Sequence, residues 1–318
     1  MKIKFWGVRG SLPTPISTNE IKNKIRKSLI LAKGVNLDTE DKIDKFLDKL
    51  PISIYGTYGG NTPCVSVLDD DDNFLILDMG SGIRDLGYYI LSSDYFKVNK
   101  TLNIFLSHTH WDHIQGFPFF VPAYMKDFTL VFHSPFKNLK ERLITQQQYD
   151  FFPVELKNLP SKIGFQVLDV EKAYRLSAHT NIKITKLNHP GDSYAYNIIS
   201  KDKSVIYATD TEFYKIDERF ILEVGNKWLN PDVLIFDAQY TPEEYIKKIS
   251  WGHSSTMVAV DIGLKVNAKK LVLFHHDPTY SDDFITNTVE KAYSYLKAIS
   301  PESNMEIIAA YEGLEINI

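Results

Sequence analysis

The chain has 318 residues, of which 44% are hydrophobic and 13% aromatic, and this composition excludes a disordered polypeptide. The formal net charge of −4 argues against nucleic-acid binding through bulk positive charge. The single cysteine, Cys64, excludes an intramolecular disulfide. Neither a signal peptide nor an apolar run of the ~20 residues that span a bilayer is recognisable. We therefore expect a cytoplasmic protein.

The predicted elements alternate between short strands and helices. A strand opens the chain in KIKFWGV, and two more, CVSVLD and NFLILDMG, flank an acidic turn at 69–72. Apolar density and β-branched residues predict later strands in LNIFLS, FTLVFHS, IKITKLNH, SVIYATD, DVLIFDAQ, KLVLFHH and EIIAAYEGLEINI. Capping residues and helical spacing predict helices in SSTMVAVDIGLKV and DDFITNTVEKAYSYLKAI. This interleaving is typical of an α/β protein.

One segment, at about 16–54, departs from that rhythm. Its apolar residues form two helical stripes separated by Gly34, and its charges are mixed. We interpret the segment as a helical-hairpin insertion packed on the surface, with a substrate lid or a dimerisation arm as the alternatives.

Four metal-capable side chains lie within six positions, directly after a predicted strand. His108 and His110 are two residues apart, so at a strand end they point the same way, whereas a helical zinc motif needs histidines four apart. Asp112 and His113 are adjacent and are poorly placed to join that pair on one ion. A second ion beside the first is therefore favoured. Imidazole with carboxylate suits Zn²⁺, with Mn²⁺ and Fe²⁺ as alternatives.

Further candidate ligands end other predicted strands. They are His189, Asp210 and the adjacent pair His275 and His276. Sites in open α/β sheets gather beyond the carboxyl ends of strands, so we expect these side chains to meet the first cluster. The remaining isolated histidines, His133 and His179, are interpreted as structural or surface residues.

The sequence SHTHWDH at 107–113 resembles the HxHxDH signature of the metallo-β-lactamase superfamily. The stretches KFWGVRGS, YGGNTPCVSV, LILDMGSGIRDLG, HTHWDHIQGFPFF, YATDTE, WGHSS and LFHHDP follow in the order of its phosphodiesterase and ribonuclease Z-like branch. The resemblance covers most of the chain outside 16–54. It implies an αββα four-layer sandwich, the metallo-β-lactamase fold, with residues 1–318 forming one metallo-hydrolase domain.

The resemblance also implies a site for two divalent ions, with zinc favoured. Three ligands are implied for the first ion: His108, His110 and His189. Three are implied for the second ion: Asp112, His113 and His275. Asp210 would bridge both ions. His275 is preferred to His276 because the family places its ligand first after the strand.

Members of this branch carry a Glu-Ala-Thr and a His-Ser-Thr element whose Glu and His act together. The sequences DAQ at 237–239 and HSS at 253–255 occupy those places, so the resemblance implies a pair of Asp237 and His253, with a shorter acid than the family's. His253 would act as a general acid oriented by Asp237, and Asp112 is the third predicted catalytic residue. The redox branch usually replaces the second histidine of the signature with Glu, so His110 favours hydrolysis.

These residues predict a dinuclear metal-dependent hydrolase. We expect a small or cyclic-nucleotide phosphodiester as its substrate, attacked by a metal-bridging hydroxide. The alternative is a tRNA 3′-processing endonuclease, which would want a basic, glycine-rich arm that this sequence lacks. A lactamase or thioesterase and a non-catalytic binding protein are less favoured. No membrane partner is expected, and a homodimer stays open. Trp111 and the FPFF sequence at 117–120 are interpreted as packing residues.

Overall fold

The computed structural model describes residues 1–213, 224 and 227–318. The strands in this part of the chain are β1 (Lys2–Gly7), β2 (Cys64–Leu68), β3 (Phe74–Leu77), β4 (Thr101–Phe105), β5 (Thr129–Ser134), β6 (Lys162–Val167), β7 (Tyr174–Arg175), β8 (Thr180–Leu187), β9 (Ser193–Ser200), β10 (Lys203–Ala208), β11 (Val233–Asp237), β12 (Lys270–Phe274), β13 (Glu306–Ala309) and β14 (Glu315–Asn317).

The α-helices in the same part are α1 (Thr18–Leu31), α2 (Glu40–Leu47), α3 (Ile52–Tyr55), α4 (Ile83–Ser92), α5 (Trp111–Ile114), α6 (Leu139–Gln146), α7 (Pro242–Lys247), α8 (Thr256–Lys265) and α9 (Asp282–Ile299). Short 3₁₀ turns lie at Asp94–Lys97, Phe117–Phe119, Val121–Tyr124 and Leu156–Asn158. None of the described helices is both long and apolar enough to cross a bilayer.

The strands form two sheets of seven. One has the order β14-β1-β2-β3-β4-β5-β6 and the other the order β13-β12-β11-β10-β9-β8-β7. Strands β3 to β6 pair in parallel, and so do strands β10 to β13. The carboxyl ends of each parallel set therefore lie at one edge of its sheet.

The main hydrophobic core lies between the two sheets. It joins side chains such as Phe5 and Ile104 of the first sheet to Tyr207 and Phe274 of the second. A second core lies between the outer face of the second sheet and helices α8 and α9. Buried residues of α4 and α6 extend the main core on the first sheet's side. These layers confirm the predicted αββα sandwich.

The sequence predicts several of the observed strands, but it does not predict one long buried strand, β9. β11 is buried at all five positions, as expected of a central parallel strand with a continuous apolar run. The predicted hairpin around residues 69–72 is confirmed by the antiparallel pairing of β2 and β3. β9 was not predicted because Ser193, Asn197 and Ser200 interrupt its apolar pattern, yet all three are buried.

Helices α1, α2 and α3 occupy the segment at about 16–54. α1 and α2 contain no buried residue, so a hydrophobic core does not hold them. Instead, Lys24 Nζ donates hydrogen bonds to the Ser53 and Gly56 carbonyls at 2.7 and 2.8 Å and to Asp282 Oδ2 at 2.7 Å. That this segment is an insertion within a single 1–318 domain stays a prediction.

The interpretation of Trp111 and all of FPFF as packing residues was wrong in part. Phe117 and Phe120 are fully buried, as expected. Trp111 and Phe119 are instead exposed over more than half of their surface. Trp111 opens the one-turn helix α5, whose inward face is taken by Asp112, His113 and Ile114, so the tryptophan points away from the core.

Candidate metal centre and active site

The predicted site residues gather at the carboxyl ends of strands from both sheets. His108 follows β4, His189 follows β8, Asp210 follows β10 and His275 follows β12. Asp210 and His275 have φ angles of 55° and 64°, in the left-handed region that non-glycine residues seldom adopt. Such a strained backbone conformation persists only where the surrounding structure holds it, and it is found most often at functional sites.

The first group of ligand atoms comes from His108, His110 and His189, and these atoms lie within 4.8 Å of one another. His110 Nδ1 is 3.1 Å from His189 Nε2. His189 Nδ1 donates to the carbonyl of Gly252 at 2.7 Å, so its Nε2 carries the lone pair that faces the group.

A short hydrogen-bond chain fixes the orientation of His108. The hydroxyl of Ser107 donates to Asp78 Oδ2 at 2.7 Å, so its oxygen accepts from His108 Nδ1 at 3.0 Å. The lone pair of His108 is then on Nε2, which is buried and has no hydrogen-bond partner. A buried polar atom without a partner is costly, and a bound cation would satisfy it.

The second group comes from Asp112, His113, Asp210 and His275, whose ligand atoms again lie within 4.8 Å of one another. The Nε2 atoms of His113 and His275 are 3.3 Å apart. His113 Nδ1 donates to Asp78 Oδ2 at 2.8 Å, and His275 Nδ1 donates to Gln239 Oε1 at 3.2 Å. When the two rings are neutral, both Nε2 atoms therefore present lone pairs to the same small volume.

Asp210 lies between the two groups. Its Oδ1 is 3.2 Å from His113 Nε2 and 3.3 Å from His275 Nε2. Its Oδ2 is 3.6 Å from His108 Nε2 and 3.9 Å from His189 Nε2. One carboxylate thus offers a different oxygen to each group, which is the arrangement that a bridging ligand needs.

The electrostatics of the site favour neutral imidazole in the first group and ionised carboxylates in the second. Burial and then the neighbouring His113 hold the pKa of His108 well below its ordinary value. Burial opposes ionisation of Asp210, but His113, His275 and His108 outweigh it and hold the pKa of Asp210 well below its ordinary value. Both states are those in which the side chains bind cations. His113 differs: burial lowers its pKa, but Asp210, Asp112 and Asp78 outweigh burial and hold the pKa well above its ordinary value, so a metal ion at this ring would take the place of a proton.

The donor set fits two divalent metal ions. Converging imidazole lone pairs and carboxylate oxygens repel one another unless a cation or a proton lies between them. Three imidazoles on one side, and two imidazoles with two carboxylates on the other, match the nitrogen and oxygen ligands of Zn²⁺. The hydrogen bonds to Asp78, Gly252 and Gln239 leave the lone pairs pointing inwards, as in metal sites generally.

His253 and Asp237 form a buried pair beside the two groups. His253 Nδ1 donates to Asp237 Oδ2 at 2.9 Å, and the His253 ring stacks on His275 with 5.0 Å between centroids. Asp237 accepts two further hydrogen bonds, from the backbone N–H groups of Thr211 and Gln239. Burial lowers the pKa of His253, but the charge and hydrogen bond of Asp237 outweigh burial and raise the pKa to about 9.

The other histidines lie elsewhere. His276 faces away from the groups and donates from Nε2 to the Ala310 carbonyl at 2.9 Å. His133 is buried in β5 against Phe105, and His179 is exposed and donates from Nδ1 to Asp71 at 2.7 Å.

Two acidic residues of the site were missed by sequence reasoning. Asp78 is fully buried and accepts hydrogen bonds from Ser107, His113 and the hydroxyl of Tyr207. Glu212 accepts from the backbone N–H groups of Ser250 and Gly252, each at 2.9 Å, and so holds the loop whose carbonyl orients His189. Asp78 directly follows the apolar run FLIL within the predicted strand NFLILDMG, but that position alone does not identify it as a site residue.

Comparison with known proteins now identifies the family. Residues 97–276 match the family described as "Beta-lactamase superfamily domain", which is more than half of the chain. The chain belongs to this superfamily. Its phosphodiesterase and ribonuclease Z-like branch, suggested by the motifs, is also supported. A ribonuclease Z of Picrophilus torridus is 26% identical over 300 residues, covering 78% of this chain and 91% of that protein.

Solved structures of low sequence identity have the same fold. The metallo-beta-lactamase fold protein YhfI from Bacillus subtilis superimposes with a TM-score of 0.63 at 17% identity, covering 99% of this chain and 98% of that one. The short form of human tRNase Z superimposes with a TM-score of 0.61 at 15% identity, covering 100% and 99%. Family membership and the His/Asp groups together support a metal-dependent hydrolase.

Proposed function

We propose that the protein is a dinuclear metal-dependent phosphodiesterase that cleaves RNA. The observation that carries the proposal is the His253–Asp237 pair beside two ligand groups that share Asp210. The relative named ribonuclease Z, which matches over 78% of the chain, supports RNA as the substrate class. RNA therefore replaces the small phosphodiester that we expected first.

We assign the metal ligands as the sequence analysis predicted them. Three residues would hold the first ion: His108, His110 and His189. Three would hold the second: Asp112, His113 and His275. Asp210 would contribute one oxygen to each. When bound, two divalent ions, with zinc favoured, would lower the pKa of a coordinated water towards about 7 and neutralise charge on the phosphate oxygens.

The chain's own residues supply the remaining steps. Water loses one proton to the solvent, its oxygen adds to phosphorus, and the bond between phosphorus and the departing oxygen breaks. The departing oxygen then needs a proton, which His253 donates from Nε2, because Nδ1 is engaged with Asp237. A proton from solvent later restores the His253 imidazolium. The backbone N–H groups of Thr211 and Gln239 hold Asp237, so the imidazole keeps one orientation during this transfer.

A small or cyclic-nucleotide phosphodiester is the second candidate substrate. It is favoured by the net charge of −4 and by the 16–54 segment, which has mixed charges and one glycine rather than the basic, glycine-rich arm expected for gripping tRNA.

A substrate panel tests the proposal. The protein, loaded with Zn²⁺ or Mn²⁺, is given a tRNA precursor with a 3′ trailer, a single-stranded RNA, and 2′,3′- and 3′,5′-cyclic nucleotides. We expect the highest kcat/KM on an RNA and a steep fall in RNA affinity with salt. A higher kcat/KM on a cyclic nucleotide favours the second candidate. Fewer than one metal ion per chain, or full activity of Asp210→Ala, would remove the dinuclear assignment.

A further inference from the structure

An open cavity of about 440 Å³ adjoins the first ligand group. Its volume lies in the range of roughly 300 to 1,000 Å³ that small-molecule sites occupy. Nine residues line it, among them Thr109, Trp111, Arg142 and Phe151, together with one carboxylate, Glu141. Thr109 lies between His108 and His110 in the sequence and Trp111 follows His110, so this part of the wall belongs to the same loop as two candidate ligands.

The rim of this cavity exposes large aromatic side chains. Trp111 and Phe151 are each 67% exposed, and nearby in the sequence Phe119 is 59% and Tyr149 is 79% exposed. An edge-to-face contact between Phe119 and Phe152, with 5.6 Å between centroids, joins the two segments. Flat, exposed aromatic rings beside a phosphodiester site suit the stacking of nucleobases, because every base has an aromatic face.

Arg142 supplies a fixed positive charge in the same cavity. Its Nη1 donates to Thr109 Oγ1 at 2.8 Å and its Nε donates to Asn138 Oδ1 at 3.1 Å. The guanidinium also lies 4.0 Å from the ring centroid of Phe136. None of the described carboxylates forms an ion pair with it, and two of its N–H groups are engaged, which leaves donors for a phosphate.

We propose that this cavity binds the nucleotide next to the scissile phosphate of an RNA substrate. The base stacks on Trp111, and the phosphate of that nucleotide accepts hydrogen bonds from Arg142. This inference rests on the proposed function and adds a subsite to it. Hydrogen-bond donors and chain continuity select this occupant. The cavity pairs the remaining donors of Arg142 with exposed rings, the carboxylate in its wall is Glu141, and Trp111 directly follows the candidate ligand His110.

The test combines protein and substrate changes. The metal-loaded wild type and Trp111→Ala are assayed on an intact RNA that the wild type cleaves. They are also assayed on two copies of this RNA, each with an abasic nucleotide on one side of the cleavage site. In the wild type we expect the abasic change on one side to raise KM at least about fivefold, as loss of one stacked base does. In Trp111→Ala the same change should have no further effect, because the two changes remove one contact.

Three further variants sharpen the result. Trp111→Phe should restore most of the affinity because it keeps an aromatic face. Arg142→Gln should reduce the slope of log affinity against log salt by about one. Tyr88→Ala removes an aromatic that is also exposed, on helix α4 and outside the cavity, and should leave KM unchanged. Metal content is measured in each variant, so that loss of an ion is not mistaken for loss of stacking.

Binding of AMP to the metal-free protein, followed by calorimetry, separates the two proposals. If the wild type cleaves no RNA, the proposed function fails, while the AMP arm still tests the cavity. Unchanged AMP affinity in Trp111→Ala would overturn the subsite. Additive effects of Trp111→Ala and base removal on KM would also overturn it. So would a Trp111→Ala variant that changes from a dimer to a monomer and keeps the KM of the wild type.

Discussion

Asp78 Oδ2 accepts a hydrogen bond from His113 Nδ1 at 2.8 Å and another from the hydroxyl of Ser107 at 2.7 Å. Since Ser107 in turn orients His108, one buried carboxylate aligns a ligand of each group. Asp78 has a φ of 60°, so its backbone is strained in the same way as those of Asp210 and His275.

Asp78→Asn is expected to weaken metal binding by about 10- to 100-fold. The amide can donate to His113 Nδ1, which would move the proton of that ring to Nε2 and remove the lone pair. Competition with a chromophoric chelator measures the affinity.

The matched control for that change is Asp69→Asn. Asp69 is also buried and accepts several hydrogen bonds, but in the turn between β2 and β3. We expect it to lose stability and keep its metal affinity. Equal losses of affinity in the two variants would contradict the role assigned to Asp78.

Gly252→Ala tests how tightly the 250–253 loop holds His189. Gly252 has a φ of 85°, and a Cβ there would lie 2.3 Å from His189 Nδ1. Gly313 has a φ of 88° and open space around its Cβ position, so Gly313→Ala is a control for backbone strain alone. Gly313→Ala should lose about 1–2 kcal/mol in urea unfolding through backbone strain. Gly252→Ala should lose more, because its Cβ also clashes, and only this variant should lose metal affinity. Intact metal binding in Gly252→Ala would show that His189 is not confined by this loop.

Acid is expected to destabilise the protein through His133. Its Nε2 donates to Asn103 Oδ1 at 3.1 Å, and burial lowers its pKa to about 4. The unfolded chain therefore takes up a proton near pH 6.5 that the folded protein does not bind until about pH 4. The neutral ring therefore contributes fully to the free energy of unfolding above about pH 6.5. This contribution, up to about 3 kcal/mol, is lost as the pH falls from about 6.5 to about 4.

His133→Gln cannot take up this proton. With metal removed by a chelator, the unfolding free energy of the wild type relative to His133→Gln should therefore decrease between pH 7 and 4.5. Parallel stability curves for the two proteins would show that His133 does not titrate in this window.

Lys24→Ala should release helix α1 without unfolding the sandwich. The Lys24 ammonium bonds two carbonyls and Asp282, and neither α1 nor α2 contains a buried residue. Limited proteolysis within 16–54 should accelerate by roughly tenfold or more, because hydrogen bonds to a charged group contribute about 1.5–3 kcal/mol each. Lys22→Ala, an exposed change in the same helix, should leave the rate unchanged. Equal rates for both variants would place the anchor of α1 elsewhere.

The ligand groups could be predicted because the sequence concentrates unusual chemistry at strand ends. His108 and His110 are informative through their spacing, and Asp210 through its place directly after an apolar run. Asp78 has the same placement, but a single carboxylate next to no other candidate gives no sign that it orients histidines.

The cavity beside Trp111 could not be predicted from the sequence, for a different reason. Its wall combines α5 with Arg142 and Phe151, which are brought together only by packing of the chain between β5 and β6. Trp111 was interpreted as a packing residue, but its exposure depends on which face of the one-turn helix α5 points inwards.

The ligand groups draw on both sheets, since His108 and His113 follow β4 of one sheet whereas His189, Asp210 and His275 follow strands of the other. A cation held there would act as a cross-link between the two halves of the sandwich. Its binding energy would then add to the stability of the assembled protein, because a chain with separated sheets has no such site. The ligands lie far apart in the sequence, so they meet only when the two sheets have docked. Metal retention would therefore report that both sheets have docked correctly.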